Sequence, residues 1–564
     1  MMRRGSAVAV TAWVGLFFAV FFVWPIGQTL RGSFVYEGRL TARFVLEVFR
    51  SPLYLEGLVN SFAIATATTA LVTLLSVPLA VVSDRYDFPC KRLLGGLLLV
   101  PMILPPFVGA IGLRQVLGQY GALNAALTAL GVLSEDQTID WIGRGRFWGV
   151  VLLEALHLYP IMYLNASAAL ANVDPTMLEA AENLGCVGWR RFRRISLPLI
   201  MPGVFAGGTL VFIWSFTELG TPLMFDYVRV TPVQVFEGIE EIGDNPFPYA
   251  LTVVMLAAAT SLYVLGKVVF GRHAYAMMPK ATVARPVRRV RGVRGLAAAA
   301  AFTVVIALAV IPHVGLVLNS LSGGWYRTVL PSPLTLNHYH EALSHALTIT
   351  SIGNSIKYAS LAMVIDLLMG LAIAYVVVRS DLPGRNLLDT VAMLPLAVPG
   401  VVLAFGYLAM TRQGEFFAFL DPREDPTVLL VIAYAVRRLP YVVRSAAAGL
   451  QQTSVTLEEA ALNLGSPPLR TVRKIVLPLI AANLLAGGLL AFSFAMLEVS
   501  DSLMLAQRGM HYPITKAIFD LYNLLGEGRY IASALGVWAM ALLTATLVAA
   551  SLLMGRRLGA MFRV

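Results

Sequence analysis

Long apolar blocks alternate with short polar stretches along almost the whole chain. A helix needs about 20 mostly apolar residues to cross a hydrocarbon core of roughly 30 Å. Twelve segments meet that requirement, at 7–30, 57–82, 92–114, 147–170, 197–222, 249–271, 295–320, 351–378, 387–410, 427–450, 477–500 and 530–555. The first follows Arg3 and Arg4 as a signal peptide would. It is longer than an h-region of about 7–15 residues and has no clear small-x-small cleavage site, so it is expected to remain as an anchor. An even number of spans puts both termini on one side.

Composition agrees with that pattern. The chain has 564 residues, 58% hydrophobic and 13% charged, against about 25% charged in ordinary soluble domains. Disordered, fibrous and disulfide-scaffold classes are excluded. The net charge of +11 would suggest nucleic-acid binding in a soluble protein, but in a bilayer it marks the cytoplasmic loops. More than half of the 43 lysines and arginines fall in loops grouped with the termini, including Arg190, Arg191, Arg193, Arg194 and the run Arg285, Arg288, Arg289, Arg291, Arg294. The opposite loops hold Asp226, Glu237, Glu240, Glu241 and Asp244. Both termini are therefore expected in the cytoplasm, with lipid and no nucleic acid as a partner. Cys90 and Cys186 have neither CxxC nor metal-ligand spacing and read as free thiols.

The chain repeats itself. Asn60-Ser61, Pro89, Pro101, Pro105 and Gly112 match Asn354-Ser355, Pro383, Pro395, Pro399 and Gly406 at one offset of 294. After a shortened loop the offset is 280, pairing Pro160 with Pro440, Gly207-Gly208 with Gly487-Gly488 and Glu218 with Glu498. Residues 179–203 and 459–483 share 13 identities in 25 positions without a gap. Two repeats, 1–280 and 281–564, each of six spans, are parallel and related by an axis along the membrane normal. A pathway at the interface between the halves is the expectation.

Within each repeat the longest shared cytoplasmic segment, 172–198 and 452–478, joins spans four and five. One reads Glu179-Ala180-Ala181, three residues, Gly185, then nine residues to Ile195-x-Leu197-Pro198. The other reads Glu459-Ala460-Ala461, Gly465 and Ile475-x-Leu477-Pro478 at the same spacing. The residues predict a short helix, a glycine turn with positive φ and a second helical stretch. Pro198 and Pro478 suit the first turn of the following span. A basic amphipathic loop lying on headgroups is the competing reading, but it gives no reason for matched Glu, Gly and Pro positions.

This pattern resembles the EAA loop of binding-protein-dependent ABC importer permeases. The resemblance implies an all-α integral membrane protein of 12 transmembrane helices in two parallel six-helix repeats, the type I ABC importer permease fold. It further implies that both loops are coupling helices docking on two separate ABC ATPase subunits, with an extracytoplasmic solute-binding protein outside. No G-x-x-x-x-G-K-[ST] occurs in the chain, so no phosphate cradle is expected here. ATP and Mg would be bound by the partner ATPase, and the chain is expected to be no enzyme, with neither a catalytic residue nor a metal site or cofactor of its own. A segment Glu218-Leu219-Gly220-Thr221-Pro222 makes the chain most similar to the ferric-iron importer group. Thiamine, phosphonate or organophosphate, and polyamine importers are the other members considered, and a bacterial inner membrane is the implied location. The rival class is a 12-span secondary transporter of the major-facilitator type, which the paired EAA loops do not fit.

Ionisable residues inside spans are functional candidates by default. Glu218 and Glu498, with Asp501, are candidates for the pathway, and a snorkelling or helix-bonded role is equally open for the two glutamates. Glu154 and His157, about one helical turn apart, could bond each other or water, and with Asp366 read as packing residues. Arg437 and Arg438 before Pro440 suggest a kink reaching a water-filled cavity. His338, His340 and His345 have no ordinary ligand spacing and read as a solvated loop, and the acidic stretch from Asp226 to Asp244 is a candidate docking surface for the binding protein.

Overall fold

The computed structural model describes residues 4–142, 146–243, 245–271, 288–524 and 526–554. Nine helices among them are long and apolar enough to cross a membrane, beginning with Gly5–Phe34 and ending with Gly528–Ala550. Two more spans are broken. Lys91–Ile103 and Pro106–Ala129 meet at 100°, and Arg385–Leu396 and Gly400–Met410 meet at 96°. The remaining expected span, 427–450, is one unbroken helix, Thr427–Gln452, carrying Arg437, Arg438 and Arg444.

The expected continuous spans 92–114 and 387–410 are thus corrected, and the cause is the matched prolines. Pro105 and Pro399 have nearly the same backbone, φ −57° and −58° with ψ 139° in both. Each starts a new helix because proline offers no amide hydrogen and clashes with the preceding turn. Spans 197–222 and 477–500 also differ from expectation. Their helices end at Phe216 and Met496, and short helices Gly220–Met224 and Ser500–Leu505 follow.

Pro198 and Pro478 fall in the first turn of the α-helices Leu197–Phe216 and Leu477–Met496, as expected. Each lies inside a continuous run, Gly188–Phe216 and Pro468–Met496, directly after a widened π-helical turn, Phe192–Ser196 and Val472–Val476. Ala19–Val23 stands in the same relation to Pro25. A π turn spaces the backbone so that the missing proline N–H and the crowded carbonyl before it are absorbed without a break.

The chain forms two compact units whose limits differ from those of the repeats. Unit 1 takes the N-terminal stretch to Gly57, Thr231–Ala257 and the stretch from Leu336 onward; unit 2 takes Leu58–Val230 and Ala258–Thr335. Each therefore contains the first span of the other repeat. In unit 1 the N-terminal helix lies on Gly400–Met410, where a Cβ on Gly406 would stand 2.8 Å from the Pro25 carbonyl oxygen, and Tyr407 Oη donates to the Phe21 carbonyl at 2.8 Å. In unit 2 the helix Gly292–Ser320 lies on Pro106–Leu117, with Gly112 and Gly315 backbone to backbone. The repeat-matched glycines Gly112 and Gly406 do the same work in both places.

The core of unit 2 gathers Leu98, Tyr159, Met162, Ile200 and Phe302, and that of unit 1 includes Ala374, Val442, Leu450 and Ile480. Of the basic linker, Arg285 lies outside the described residues. Arg288 and Arg289 pair as a two-residue parallel strand with Tyr86 and Asp87, and Arg289 reaches Asp87 at 3.5 Å. Cys90 and Cys186 are free.

Candidate functional site

Each Glu-Ala-Ala loop is built from local bonds. Asp174 caps the helix Pro175–Asn183 by accepting from the Thr176 amide at 2.9 Å, and Ser454 caps Val455–Asn463 by accepting from the Thr456 amide at 3.3 Å. The C-terminal ends close alike. Gly185 N–H donates to the Glu182 carbonyl and Cys186 N–H to Ala181, while Gly465 and Ser466 donate to Leu462 and Ala461. These crossed bonds form a Schellman motif, which needs a left-handed residue. Gly185 at φ +75° and Gly465 at φ +80° supply it.

The Glu-Ala-Ala triplet divides by direction. Ala181 and Ala461 are buried against their own unit, whereas Glu179, Ala180, Glu459 and Ala460 are exposed. Beside them stand large apolar side chains with no cover: Met177, Leu184 and Trp189 in one loop, Leu457, Leu464 and Leu469 in the other. The three pairs share the offset of 280, and Leu184 and Leu464 are 87% and 89% exposed. The second half of each loop leads inward. Ile195, Leu197, Ile475 and Leu477 are half-buried, and Pro198 and Pro478 are exposed.

The loops are tied down differently. Arg191 pairs with Glu182 in the first, and Thr471 Oγ1 bonds Ser466 Oγ at 3.1 Å in the second. Glu458, immediately before the second Glu-Ala-Ala triplet, is buried and accepts from Arg379 Nε and from Tyr375 Oη, both at 2.7 Å. Arg379 also donates to the Leu450 and Thr453 carbonyls at 2.8 Å. The repeat places Leu178 and Arg85 at those positions of the first half, and there Arg85 bonds Ser196 Oγ at 2.9 Å.

The retained glutamates also differ. Glu498 is buried just past the end of its helix and is gripped by both Arg437 and Arg438, while Asp501 lies 3.3 Å from Arg437. Tyr434 Oη and Ser502 Oγ are 2.7 Å apart, and Thr515 Oγ1 donates to the Glu498 carbonyl at 2.8 Å. Room for the Arg437 guanidinium comes from Gly400, where any Cβ would overlap it. Glu218 accepts from the Thr221 amide at 3.3 Å and hydroxyl at 3.4 Å.

Expectations for the other intramembrane residues change accordingly. Glu154 and His157 do not bond each other. Glu154 accepts from Ser215 and Thr68 hydroxyls, and His157 Nδ1 lies 2.9 Å from the Pro101 carbonyl at the broken span. Beside that break is a space about the size of one water, lined by Leu104, Pro105, His157 and His313. Arg437, Arg438 and Pro440 lie within one continuous helix, Thr427–Gln452. Asp366 is fully buried in the helix Ala346–Arg379. In the acidic stretch, Asp226 pairs with Arg114 at 3.3 Å and with Arg146 at 2.5 Å, and Asn245 donates to Glu241 at 2.6 Å; Asp244 lies outside the described residues.

The chain is similar to known transport proteins. Residues 73–311 and 366–563 both match the model of the binding-protein-dependent transport system inner membrane component. The ferric transport system permease protein FbpB of Actinobacillus pleuropneumoniae is 25% identical over 88% of this chain and 72% of its own length. The molybdenum transport system permease protein ModB of Mycobacterium bovis is 30% identical over 37% of this chain and 76% of its own. A solved bacterial ABC transporter involved in alginate import is 17% identical, covering 45% of this chain and 94% of that one at a TM-score of 0.36. With the domain present twice in one polypeptide, the major-facilitator alternative falls away: the chain belongs to the binding-protein-dependent inner-membrane components, as a fused permease subunit of an ABC transporter and no enzyme itself.

Proposed function

We propose that this permease imports ferric iron, delivered by an extracytoplasmic binding protein and driven by two ATPase subunits that dock on the two coupling helices. The observation that carries the docking is the matched, uncovered apolar set, Leu184 and Trp189 in one loop and Leu464 and Leu469 in the other, beside exposed Glu179 and Glu459. Apolar side chains ringed by arginines outside the spans are characteristic of protein contact surfaces. Two loops of the same build fit two copies of one partner. ATP and Mg reside on that partner, whose closure moves the coupling helices and so reshapes the spans attached to them.

The basic loops favour a cytoplasmic side for both termini. Glu218, Glu498 and Asp501 are assigned to the pathway, where the arginine pair holding Glu498 restrains the segment after its span. Ferric iron is favoured over the other solutes by the similarity to a ferric permease across most of both chains.

The test is co-expression with the cognate ATPase and binding protein. The wild type should retain the ATPase on purification and take up radioactive ferric iron in vesicles containing ATP. Leu184→Asp with Leu464→Asp should lose the ATPase without lowering the melting temperature. Undiminished retention would overturn the docking assignment, and uptake of a different solute alone would overturn the iron assignment.

A further inference from the structure

Outside the pathway and the coupling loops, one group of metal-binding side chains is brought together by two separate elements of unit 1. The helix Asn337–Ser344 supplies His338 and Glu341, and Glu527 immediately precedes the last helix, Gly528–Met554. One ligand atom from each of the three lies within 4.8 Å of the other two. His338 is buried, although the sequence suggested a solvated loop. Its ring stacks on Tyr530 at 5.1 Å and 18°, and its Nδ1 stands 3.3 Å from Glu341 Oε2. The neighbouring cation, Arg529, is engaged with the ring and hydroxyl of Tyr530, the latter at 2.7 Å.

The first repeat shows what this joint looks like without ligands. At the offset of 294 the helix Arg43–Val48 corresponds to the start of Asn337–Ser344, with Phe44 at the place of His338 and Glu47 at that of Glu341. Phe44 packs edge-on against Phe247, the first residue of the corresponding last helix, at 5.5 Å, and Tyr54 stacks on Phe247 at 5.3 Å. The first joint is closed by rings. The second puts an imidazole and two carboxylates there, which do not adhere to one another in the same way: two carboxylates repel unless something positive lies between them.

We propose that His338, Glu341 and Glu527 form a binding site for a divalent transition-metal ion, which closes this joint of the second repeat as aromatic packing closes that of the first. One imidazole and two carboxylates, leaving a position for water, suit zinc and its neighbours in the first transition row. Bond lengths of about 2.0–2.2 Å require the ligand atoms to come to roughly 3.4 Å from each other. Half-buried Glu341 and exposed Glu527 can swing that distance, while Tyr530 holds the imidazole. The site is independent of the transported solute.

The test uses the full chain in detergent, purified without a polyhistidine tag, stripped with EDTA and dialysed against micromolar zinc. Wild type and His340→Ala should each retain about one zinc per chain, and His338→Phe and Glu527→Gln should lose affinity by about 10- to 100-fold. Zinc should raise the melting temperature of the wild type and leave that of Glu527→Gln unmoved. Glu527 is exposed, so its variant keeps the fold. Wild-type chain without saturable zinc, or variants that retain as much as the wild type, would reduce the cluster to a His338–Glu341 hydrogen bond and overturn the proposal.

Discussion

Arg379 Nε donates to Glu458 Oε1 at 2.7 Å, and both side chains are almost wholly buried. The pair ties the helix Val455–Asn463 to the helix Ala346–Arg379, and the first repeat, with Leu178 in place of Glu458, has no such pair at these positions. Breaking a buried ion pair from one side costs about 3–5 kcal/mol, whereas replacing both partners with apolar groups is close to neutral. Arg379→Met alone should therefore lower the melting temperature sharply, and adding Glu458→Leu should restore most of it. A double-mutant cycle in detergent measures the coupling. Additive losses would mean that the two residues act separately.

The same logic separates the repeat-matched glutamates. Glu498→Gln leaves Arg437 and Arg438 buried with one negative partner fewer, and should destabilise the chain by about 3–5 kcal/mol. Glu218→Gln keeps an acceptor for the hydrogen bonds from Thr221 and should cost about 1 kcal/mol. Thermal unfolding in detergent compares them directly. Equal losses would contradict the arginine clamp.

Glycines at close helix contacts should be unforgiving. Gly112→Ala forces a methyl group into the Pro312 backbone and should cost at least the 1–3 kcal/mol typical of overpacking. Gly406→Ala, with the Pro25 carbonyl 2.8 Å from the new carbon, should fall in the lower part of that range. Gly96→Ala, which meets nothing within 4 Å, should leave stability unchanged or slightly improved. Yield and melting temperature of the three variants rank the contacts.

Within the Glu-Ala-Ala triplets, side-chain direction predicts opposite phenotypes for neighbours. Ala181→Leu enlarges a buried residue and should destabilise by about 1–3 kcal/mol. Ala180→Leu points outward and should weaken ATPase retention at unchanged stability. Glu179→Gln combined with Glu459→Gln should leave the fold intact and uncouple ATP hydrolysis from uptake in reconstituted vesicles. Normal coupling in that variant would remove the glutamates from the lever.

Most spans and the helix–turn–helix build of both Glu-Ala-Ala loops were legible because their signals are local: an apolar run, a glycine where a helix must turn, a matched Glu-Ala-Ala. The breaks at Pro105 and Pro399 were written in the same sequence, but an apolar count passes over them, since proline disrupts the helix without lowering hydrophobicity. Partners across the fold were not legible. Glu154 sits a helical turn from His157, yet each bonds a residue of another element, Ser215 and Pro101, which only three-dimensional packing brings near. The burial of His338 depends likewise on Tyr530, almost 200 residues along the chain.

The exchange of first spans between the units sets a clock on biosynthesis. Pro25 leaves the ribosome 381 residues ahead of Gly406, the glycine it packs against. At roughly 5–20 residues per second the interval is about 20–80 s. Throughout that time the N-terminal helix must wait in the bilayer with lipid, or a chaperone, on the face that Gly400–Met410 will later cover. Unit 2 has the shorter wait, because only 200 residues separate Gly112 from Pro312. The half of the protein that begins first is thus the last to be completed.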